Sequence, residues 1–242
     1  MGKLLLLLLS GAKLGKIATT GGTMLISIAV YAFVFGWRYA VGFVTLLFVH
    51  EAGHYLAARQ RGLNVGAPTF IPFVGAWIAM KDLPHDAETE AFVGLGGPLL
   101  GTVGALVAWL VARSFDAVWL LAVAYAGFFL NLFNLVPLSP FDGGRITAVL
   151  GPRIWLLGVP VLGAMFWFMP SPMLVLIALL AAPQVLKAIR YRRDSAEAQT
   201  YYAVPTKAKW EYGSIYVLLL VFLALMTHDL HEQLQALHVM RG

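Results

Sequence analysis

The sequence has 242 residues, of which 60% are hydrophobic and only 12% are charged. Globular domains average about 45–50% apolar and about 25% charged residues, so this composition excludes an ordinary soluble domain and predicts a polytopic membrane protein. The absence of cysteine excludes disulfides and thiolate sites, and the net charge of +5 comes from dispersed basic residues rather than from the basic stripe of a nucleic-acid-binding protein.

The first predicted elements are an interfacial segment and a membrane span. Residues 1–16 combine a leucine run with three lysines, and we interpret them as an interfacial segment on the cytoplasmic face; a removed signal peptide is the alternative. Residues 17–36 carry no charge and have about the ~20 residues that cross a bilayer. An interfacial turn at residues 37–39 is predicted to precede the second span, which ends near Arg59.

The second span carries a metal-binding pattern close to its end. His50 and His54 are four residues apart, so a helix places both imidazoles on one face, with Glu51 beside them. Two neutral imidazoles can bind Zn²⁺ and leave room for a third ligand and a water, whose proton a nearby carboxylate can take. The alternative is a helix whose histidines are merely buried. The uncharged residues 39–49 that precede the pattern favour a functional site, because ionisable groups in hydrocarbon are costly.

Residues 67–80 are apolar but too short to cross the membrane, and Pro68, Pro72 and Gly75 interrupt any helix. We predict a re-entrant β-hairpin with strands at 69–71 and 76–79. Irregular backbone at membrane depth must lie against protein or a wet cavity, so the hairpin is expected over the metal site, where its edge could bind an extended peptide. A surface-lying amphipathic loop is the alternative.

The next segments are a polar loop and two spans. Residues 81–90 hold an acidic cluster around His85, which we expect to be solvated; contact with the metal in a resting state is the alternative. In the third span, residues 91–112, a helix places four glycines on one face, and we expect this stripe to pack against the histidine-bearing helix. These are Gly94, Gly97, Gly101 and Gly104. The fourth span covers residues 117–135.

The end of the fourth span, residues 131–145, supplies a candidate third ligand. Pro137 and Pro140 stop the helix, while Gly143 and Gly144 permit a tight backbone next to Asp142. A carboxylate at membrane depth needs a cation. A metal ion between the two histidines provides one, so that Asp142 completes a set of two histidines and one carboxylate with an open water position.

The remaining chain is predicted to form a helical pair at 154–169 and 173–186, a basic loop at 187–209 and a last span at 214–226. His228, His231 and His238 follow in a polar tail, which a terminal amphipathic helix explains better than a metal site. Seven crossings put fourteen basic residues on one side and three on the other. The positive-inside rule therefore predicts that the N-terminus and the active-site side are cytoplasmic.

The two motifs together resemble those of the site-2 proteases, the intramembrane zinc metalloproteases. The pentapeptide from His50 to His54 matches the H-E-x-x-H motif, and Asn134-x-x-Pro137 followed by Asp142-Gly143 matches the second motif. Gly96-Gly97-Pro98 resembles the small-residue segment between them, and the resemblance covers residues 39–145. Two departures are Phe141, where leucine is usual, and Gly101, where asparagine is frequent.

The resemblance implies one zinc ion per chain, bound by His50, His54 and Asp142. Glu51 would act as general base toward a metal-bound water, and Asn134 would bind the substrate backbone or stabilise the oxyanion. The implied activity is that of a zinc metalloendopeptidase in the lipid bilayer that cuts transmembrane protein substrates. The alternatives are a catalytically silent metal-binding scaffold and, less favoured because the polar residues cluster at one end, a transporter.

The predicted fold is an all-α polytopic membrane protein with about six or seven transmembrane helices and a small re-entrant β-hairpin near the metal site. We expect one membrane-embedded domain over residues 1–242, with the catalytic core at about 17–150 and accessory helices at about 151–242. No segment has the size of a PDZ or CBS domain, as in minimal members of the family.

Overall fold

A computed structural model describes residues 2–73, 75–80 and 82–239 of the chain. Most of these residues are helical, and a single two-stranded sheet lies between the second and third helices. The elements are α1 (Gly2–Phe35), α2 (Trp37–Gln60), β1 (Val65–Ile71), β2 (Gly75–Met80), α3 (Ala87–Ser114), α4 (Val118–Asn134), α5 (Asp142–Ile146), α6 (Gly158–Phe168), α7 (Pro172–Arg190), α8 (Ala196–Thr200) and α9 (Thr206–Val239). Two 3-10 helices, Thr147–Leu150 and Pro152–Leu157, connect α5 to α6.

The predicted helical membrane architecture is confirmed. Five helices within the described residues are long and apolar enough to cross a bilayer: Ala18–Phe35, Trp37–Gln60, Ala87–Ser114, Pro172–Arg190 and Thr206–Leu237. Two further apolar helices, Val118–Asn134 and Pro152–Phe168, are shorter. A helix of 17 residues such as α4 is only about 25 Å long, less than the ~30 Å hydrocarbon core. Five of the seven predicted crossings therefore have full length, and the other two are short helices.

Several predicted boundaries are wrong. The turn expected at residues 37–39 does not form, because α2 already begins at Trp37 and Gly36 alone reverses the chain at φ 86°. Residues 2–16 are not a separate element, since α1 runs without a break from Gly2. The basic loop expected at 187–209 contains the end of α7, all of α8 and the start of α9, which continues through the predicted polar tail. Charged residues extend these helices beyond the apolar windows by which spans are recognised.

The predicted hairpin is confirmed. β1 and β2 pair antiparallel, with Phe70 opposite Ala76 and Ile71 opposite Gly75, so the chain reverses between Ile71 and Gly75 as expected. Both strands contact α2, and the ring of Phe70 stacks 6.4 Å from that of Phe48, two residues before His50. The hairpin therefore packs on the helix that carries the histidines.

Hydroxyl groups of α1 form hydrogen bonds with backbone atoms of β1 and of the turn. The Thr20 hydroxyl donates to the Pro68 carbonyl at 2.7 Å, the Phe70 amide donates to the Thr23 hydroxyl at 3.2 Å, and the Phe73 amide donates to the Tyr31 hydroxyl at 3.0 Å. One side of the sheet is thereby fixed to the first helix.

The backbones of α2 and α3 touch one residue before His54. A Cβ added to Gly53 would lie 2.1 Å from the Gly96 carbonyl oxygen, and one added to Gly96 would lie 2.5 Å from that of Gly53. Two helix backbones can approach this closely only where both residues are glycine. α3 therefore does approach α2 through a small residue, but this residue is Gly96, which is not one of the four glycines of the predicted stripe.

The four predicted stripe glycines do not all face α2. A Cβ at Gly97 would meet the His54 ring, and one at Gly104 would meet Val49, both on α2. The other two face different elements, since Gly101 lies against Asn131 of α4 and Gly94 against residues 145 and 146 of α5. The stripe therefore brings three elements close to α3 rather than one.

Candidate metal centre

His50, His54 and Asp142 converge in the interior of the bundle. The Nε2 atom of His50 lies 3.1 Å from Oδ2 of Asp142, and Nε2 of His54 lies 3.1 Å from Oδ1 of the same carboxylate. The two Nε2 atoms are 3.2 Å apart. All three side chains are buried, and their ligand atoms lie within 4.8 Å of one another. They form a group suited to binding one metal ion, as the sequence predicted.

The second nitrogen of each imidazole fixes its tautomer. His50 Nδ1 lies 2.8 Å from the Asn131 side-chain oxygen, whose own amide nitrogen donates to the Gly127 carbonyl at 2.7 Å. His54 Nδ1 lies 2.8 Å from the Val93 carbonyl oxygen. Both partners are acceptors, so we assign the proton to Nδ1 in both histidines. Hydrogen bonds at the outer nitrogen commonly orient metal-binding histidines in this way.

This assignment leaves three acceptors facing one another. Both Nε2 atoms carry lone pairs, and the Asp142 carboxylate is an acceptor when it is ionised. Three buried acceptors about 3 Å apart repel one another unless a cation lies between them. Two imidazoles and a carboxylate are the ligand types of catalytic zinc sites, so the donor set fits the metal that the sequence implies.

The loop that carries Asp142 is held by a tight backbone and by distant helices. A Cβ at Gly143 would lie 2.2 Å from the Leu135 carbonyl oxygen, and one at Gly144 would lie 2.7 Å from the Leu138 carbonyl carbon. Both positions therefore require glycine, in agreement with the prediction. Asp142 itself is the first residue of α5.

Side chains from the C-terminal half add hydrogen bonds to this loop. The Trp155 indole donates to the Gly144 carbonyl at 2.8 Å, and the Tyr216 hydroxyl of α9 donates to the Leu135 carbonyl at 2.5 Å. The Ser139 amide donates to the side-chain oxygen of Gln184 in α7. The helices beyond residue 151 therefore contact the loop that presents Asp142, the candidate third ligand.

Glu51 and Asn134 are the predicted catalytic residues. Glu51 follows His50 on α2 and is 8% exposed. A buried carboxylate in an apolar bundle is costly and favours a chemical role. Asn134 is the last residue of α4 and is half-buried, eight residues before Asp142. The catalytic roles of both residues stay predictions.

Three other histidines lie outside this group. His85, His228 and His231 are exposed, and His231 bonds Gln235 at 2.9 Å on its own helix. In the part of the chain that the structure describes, the only group suited to a metal contains His50, His54 and Asp142. The side chain of His238 lies outside the described residues.

Two partners of the histidines were not predicted from the sequence. Asn131 was visible as a polar residue within an apolar span, the usual signal of a functional position in a membrane, but no role was assigned to it. The Val93 carbonyl gives no sequence signal at all. Gly101, noted above as a departure from the family pattern, lies directly against the Asn131 amide.

The N-terminus of α3 is anchored to the segment before α9. The Tyr201 hydroxyl donates to the Glu90 carboxylate at 2.6 Å, and the Ala87 amide donates to the Tyr201 carbonyl at 2.9 Å. Burial raises the pKa of Tyr201, and the negative charge of Glu90 raises it further. Tyr201 therefore keeps its proton at neutral pH and donates it to the Glu90 carboxylate.

Comparisons with known proteins agree with the motifs. Residues 38–118 match the model of Peptidase family M50. A zinc metalloprotease of Methanocaldococcus jannaschii is 34% identical over 118 residues, which are 45% of this chain and 33% of the relative. Rip3 of Mycobacterium tuberculosis, provisionally named as a zinc metalloprotease, is 34% identical over 127 residues, 49% of this chain and 32% of the relative.

A second Methanocaldococcus jannaschii protein with a provisional name of the same kind is 29% identical over 178 residues, 60% of this chain and 91% of the relative. The solved structure of a site-2 protease from the same organism matches with a TM-score of 0.47 and 22% identity, over 72% of this chain and 89% of that one. This chain spans about a third of the length of the first two relatives. The family and sequence matches confirm the resemblance to site-2 proteases that the two motifs indicated.

Proposed function

We propose that this chain is a membrane-embedded zinc metallopeptidase that hydrolyses peptide bonds within or near the transmembrane segments of other membrane proteins. One observation carries the proposal. Two imidazole nitrogens and a carboxylate converge as buried acceptors, on the residues that the H-E-x-x-H pattern and the second motif single out. The match to a peptidase family and to relatives named as zinc metalloproteases supports the same activity.

His50, His54 and Asp142 would hold the zinc ion. Zinc bound at this position would supply Lewis-acid polarisation of a carbonyl and would lower the pKa of water. The protein residues determine where this chemistry takes place. The Asn131 and Val93 oxygens hold both rings with Nε2 directed to the centre, and the surrounding helices keep other solvent away.

Glu51 would act as the general base and then as the general acid. Its carboxylate takes a proton from the attacking water while the water oxygen forms a bond to the scissile carbonyl carbon. As the carbon–nitrogen bond breaks, Glu51 returns that proton to the leaving amine nitrogen. Asn134, at the end of α4, would donate from its amide to the substrate backbone or to the developing oxyanion.

The substrate would bind in an extended form along β2. A transmembrane helix has its carbonyls occupied by internal hydrogen bonds, so it must unwind before a peptide bond can react. A free strand edge can bind unwound backbone by strand addition. The hydroxyls of Thr20 and Thr23 already contact β1, and β1 pairs with β2 on its other side. We therefore assign the substrate to the outer edge of β2.

Co-expression with substrates tests the proposed activity. A panel of tagged single-span membrane proteins, some with helix-breaking residues in the span, is expressed with the wild-type chain or with Glu51→Gln. We expect cleavage by the wild type and none by the variant, because Gln cannot accept the proton of water. Fragment size on gels and the new terminus by mass spectrometry report the cut site.

Glu232→Gln is the matched control, since Glu232 is exposed on α9 and its substitution should leave cleavage unchanged. Cleavage that survives Glu51→Gln would overturn the role of Glu51. If the wild-type chain binds zinc but cuts no member of the panel, the result would support a catalytically silent metal-binding scaffold instead.

A further inference from the structure

Asn131 is a buried side chain whose two polar atoms are both occupied. It is 1% exposed, and buried side-chain polar atoms are rarely left without a partner. Its amide nitrogen donates to the Gly127 carbonyl of its own helix at 2.7 Å. This bond fixes which end of the amide faces His50, and the oxygen lies 2.8 Å from His50 Nδ1. The Asn131 oxygen therefore accepts the Nδ1 proton of His50, a proposed metal ligand.

The hydrogen bond constrains His50 in two ways. It keeps the proton on Nδ1, so that Nε2 presents a lone pair to the centre, and it prevents the ring from turning about its χ2 angle. The residue that makes this bond is 81 positions from His50 and lies on α4. The orientation of this ligand is thus a property of the contact between α2 and α4.

Gly101 of α3 leaves the space that the Asn131 amide occupies. A Cβ at position 101 would lie 2.4 Å from the Asn131 amide oxygen, 2.9 Å from its nitrogen and 3.0 Å from Cγ. Real Cβ atoms do not approach so closely, so a side chain at position 101 and the Asn131 amide exclude each other.

The distance of 2.4 Å between a Cβ at position 101 and the Asn131 oxygen suggests that the asparagine could stand at position 101 and the glycine at position 131. The oxygen of an asparagine lies two bonds from its own Cβ, about 2.4 Å away. An asparagine at position 101 could therefore place its oxygen where the Asn131 oxygen now lies, 2.8 Å from His50 Nδ1, provided that residue 131 gave up its side chain.

We propose that Asn131 is a positioning residue for His50, and that Gly101 and Asn131 form a reciprocal pair in which one position supplies the orienting amide and the other leaves room for it. The inference rests on the metal-holding role proposed above for His50. It predicts that the amide can be moved from α4 to α3 if the glycine moves in the opposite direction.

Zinc affinity of the purified protein tests the first half of the proposal. Competition with a chromogenic chelator measures affinity, and the absorption spectrum of the Co²⁺-substituted protein reports ligand geometry. Asn131→Leu has similar volume but no acceptor, and we expect it to lower zinc affinity by about 10–100-fold, the usual effect of losing such a partner, and to alter the Co²⁺ spectrum.

Thr102→Val is the matched control. Thr102 is buried beside Gly101, and its hydroxyl bonds only the Pro98 carbonyl of α3 at 2.6 Å among the described contacts. Its loss should leave zinc affinity and the Co²⁺ spectrum unchanged. Unchanged affinity and spectrum in Asn131→Leu would overturn the positioning role. A wild-type chain that binds no zinc would instead overturn the proposed metal site.

A double variant that exchanges the two residues tests the reciprocal pair. This test remains possible if Asn131→Leu does not fold. Gly101→Asn alone should weaken zinc binding, because two amides then compete for one space. Gly101→Asn combined with Asn131→Gly should recover affinity to within about tenfold of the wild type, since coupled neighbours are not additive. A double variant whose loss equals or exceeds the sum of the two single losses would overturn the reciprocal pair.

Discussion

The centre of this protein consists of side chains whose polar atoms are almost all assigned to a partner. Each histidine uses one nitrogen for an acceptor outside the centre and turns the other toward Asp142. The carboxylate in turn uses one oxygen for each imidazole. A buried polar group with a single possible orientation is pre-organised for its ligand. Single hydrogen bonds therefore hold the candidate metal ligands in one orientation.

Removal of the carboxylate tests this assignment directly. We expect Asp142→Ala to lose bound zinc, because two neutral imidazoles remain and no negative charge balances the cation. Metal analysis of the purified protein should show about one zinc per chain in the wild type and only background in the variant. Asp229→Ala, at an exposed position on α9, should keep its zinc. Unchanged zinc content in Asp142→Ala would refute Asp142 as a ligand.

At the scale of elements, the distance between α2 and α3 determines the geometry at His54. The contact of Gly53 with Gly96 brings the α3 backbone close enough for the Val93 carbonyl to accept from His54. Gly97 on the same face leaves room for the imidazole itself. A small-residue contact of the kind that packs helices in many membrane proteins here also positions His54, a candidate metal ligand.

A methyl group at Gly53 should therefore separate the helices. Gly53→Ala places a Cβ 2.1 Å from the Gly96 carbonyl oxygen, and overpacking of this kind costs about 1–3 kcal/mol. We expect a lower Tm and weaker zinc binding, measured by thermal unfolding in detergent and by chelator competition. Gly163→Ala is the control, because nothing lies within 4 Å of a Cβ there. Equal behaviour of the two variants would contradict the close contact.

At the scale of the whole molecule, the helices after residue 151 hold the second half of the site. Tyr216 of α9 and Gln184 of α7 bond the backbone of the loop that leads to Asp142. These helices were expected to be accessory, and the division of the chain into a core and accessory helices stays a prediction. Their contacts couple the position of Asp142, the candidate third ligand, to the packing of the C-terminal helices.

Membrane orientation is a second property of the whole molecule. The charge asymmetry predicts that the loop before α3 is cytoplasmic and that the loop after α3 is on the opposite side. Because the chain has no cysteine, single cysteines can report this. Leu83→Cys and Phe115→Cys replace residues that are 77% and 78% exposed. An impermeant thiol reagent applied outside intact cells should label only Phe115→Cys.

The unsubstituted chain should remain unlabelled, and permeabilised cells should give labelling of both variants. Labelling of only Leu83→Cys in intact cells would reverse the predicted topology. Labelling of both variants there would mean that α3 does not cross the membrane.

Local chemistry in the sequence was sufficient to identify the buried group of candidate metal ligands and the hairpin. His50 and His54 repeat at the spacing of one helix turn, and Pro72 with Gly75 breaks an apolar stretch too short to span the membrane. The convergence of Asp142 with the histidines also followed, because an isolated carboxylate at membrane depth needs a cation. Helix ends at Trp37, Arg190 and Thr206 did not follow, since charged residues continue a helix beyond its apolar window.

Only the tertiary structure decided how the ligands are oriented. Asn131 is 81 residues from His50 in sequence, and the Val93 acceptor is a backbone carbonyl that every residue possesses. Nor could the sequence show that Gly101 lies against the Asn131 amide rather than against α2. Helical periodicity tells which residues point in the same direction, but it does not tell which neighbouring helix they contact. Spacing along α2 identifies His50 and His54 as candidate ligands, whereas contacts between helices determine their tautomers and their geometry.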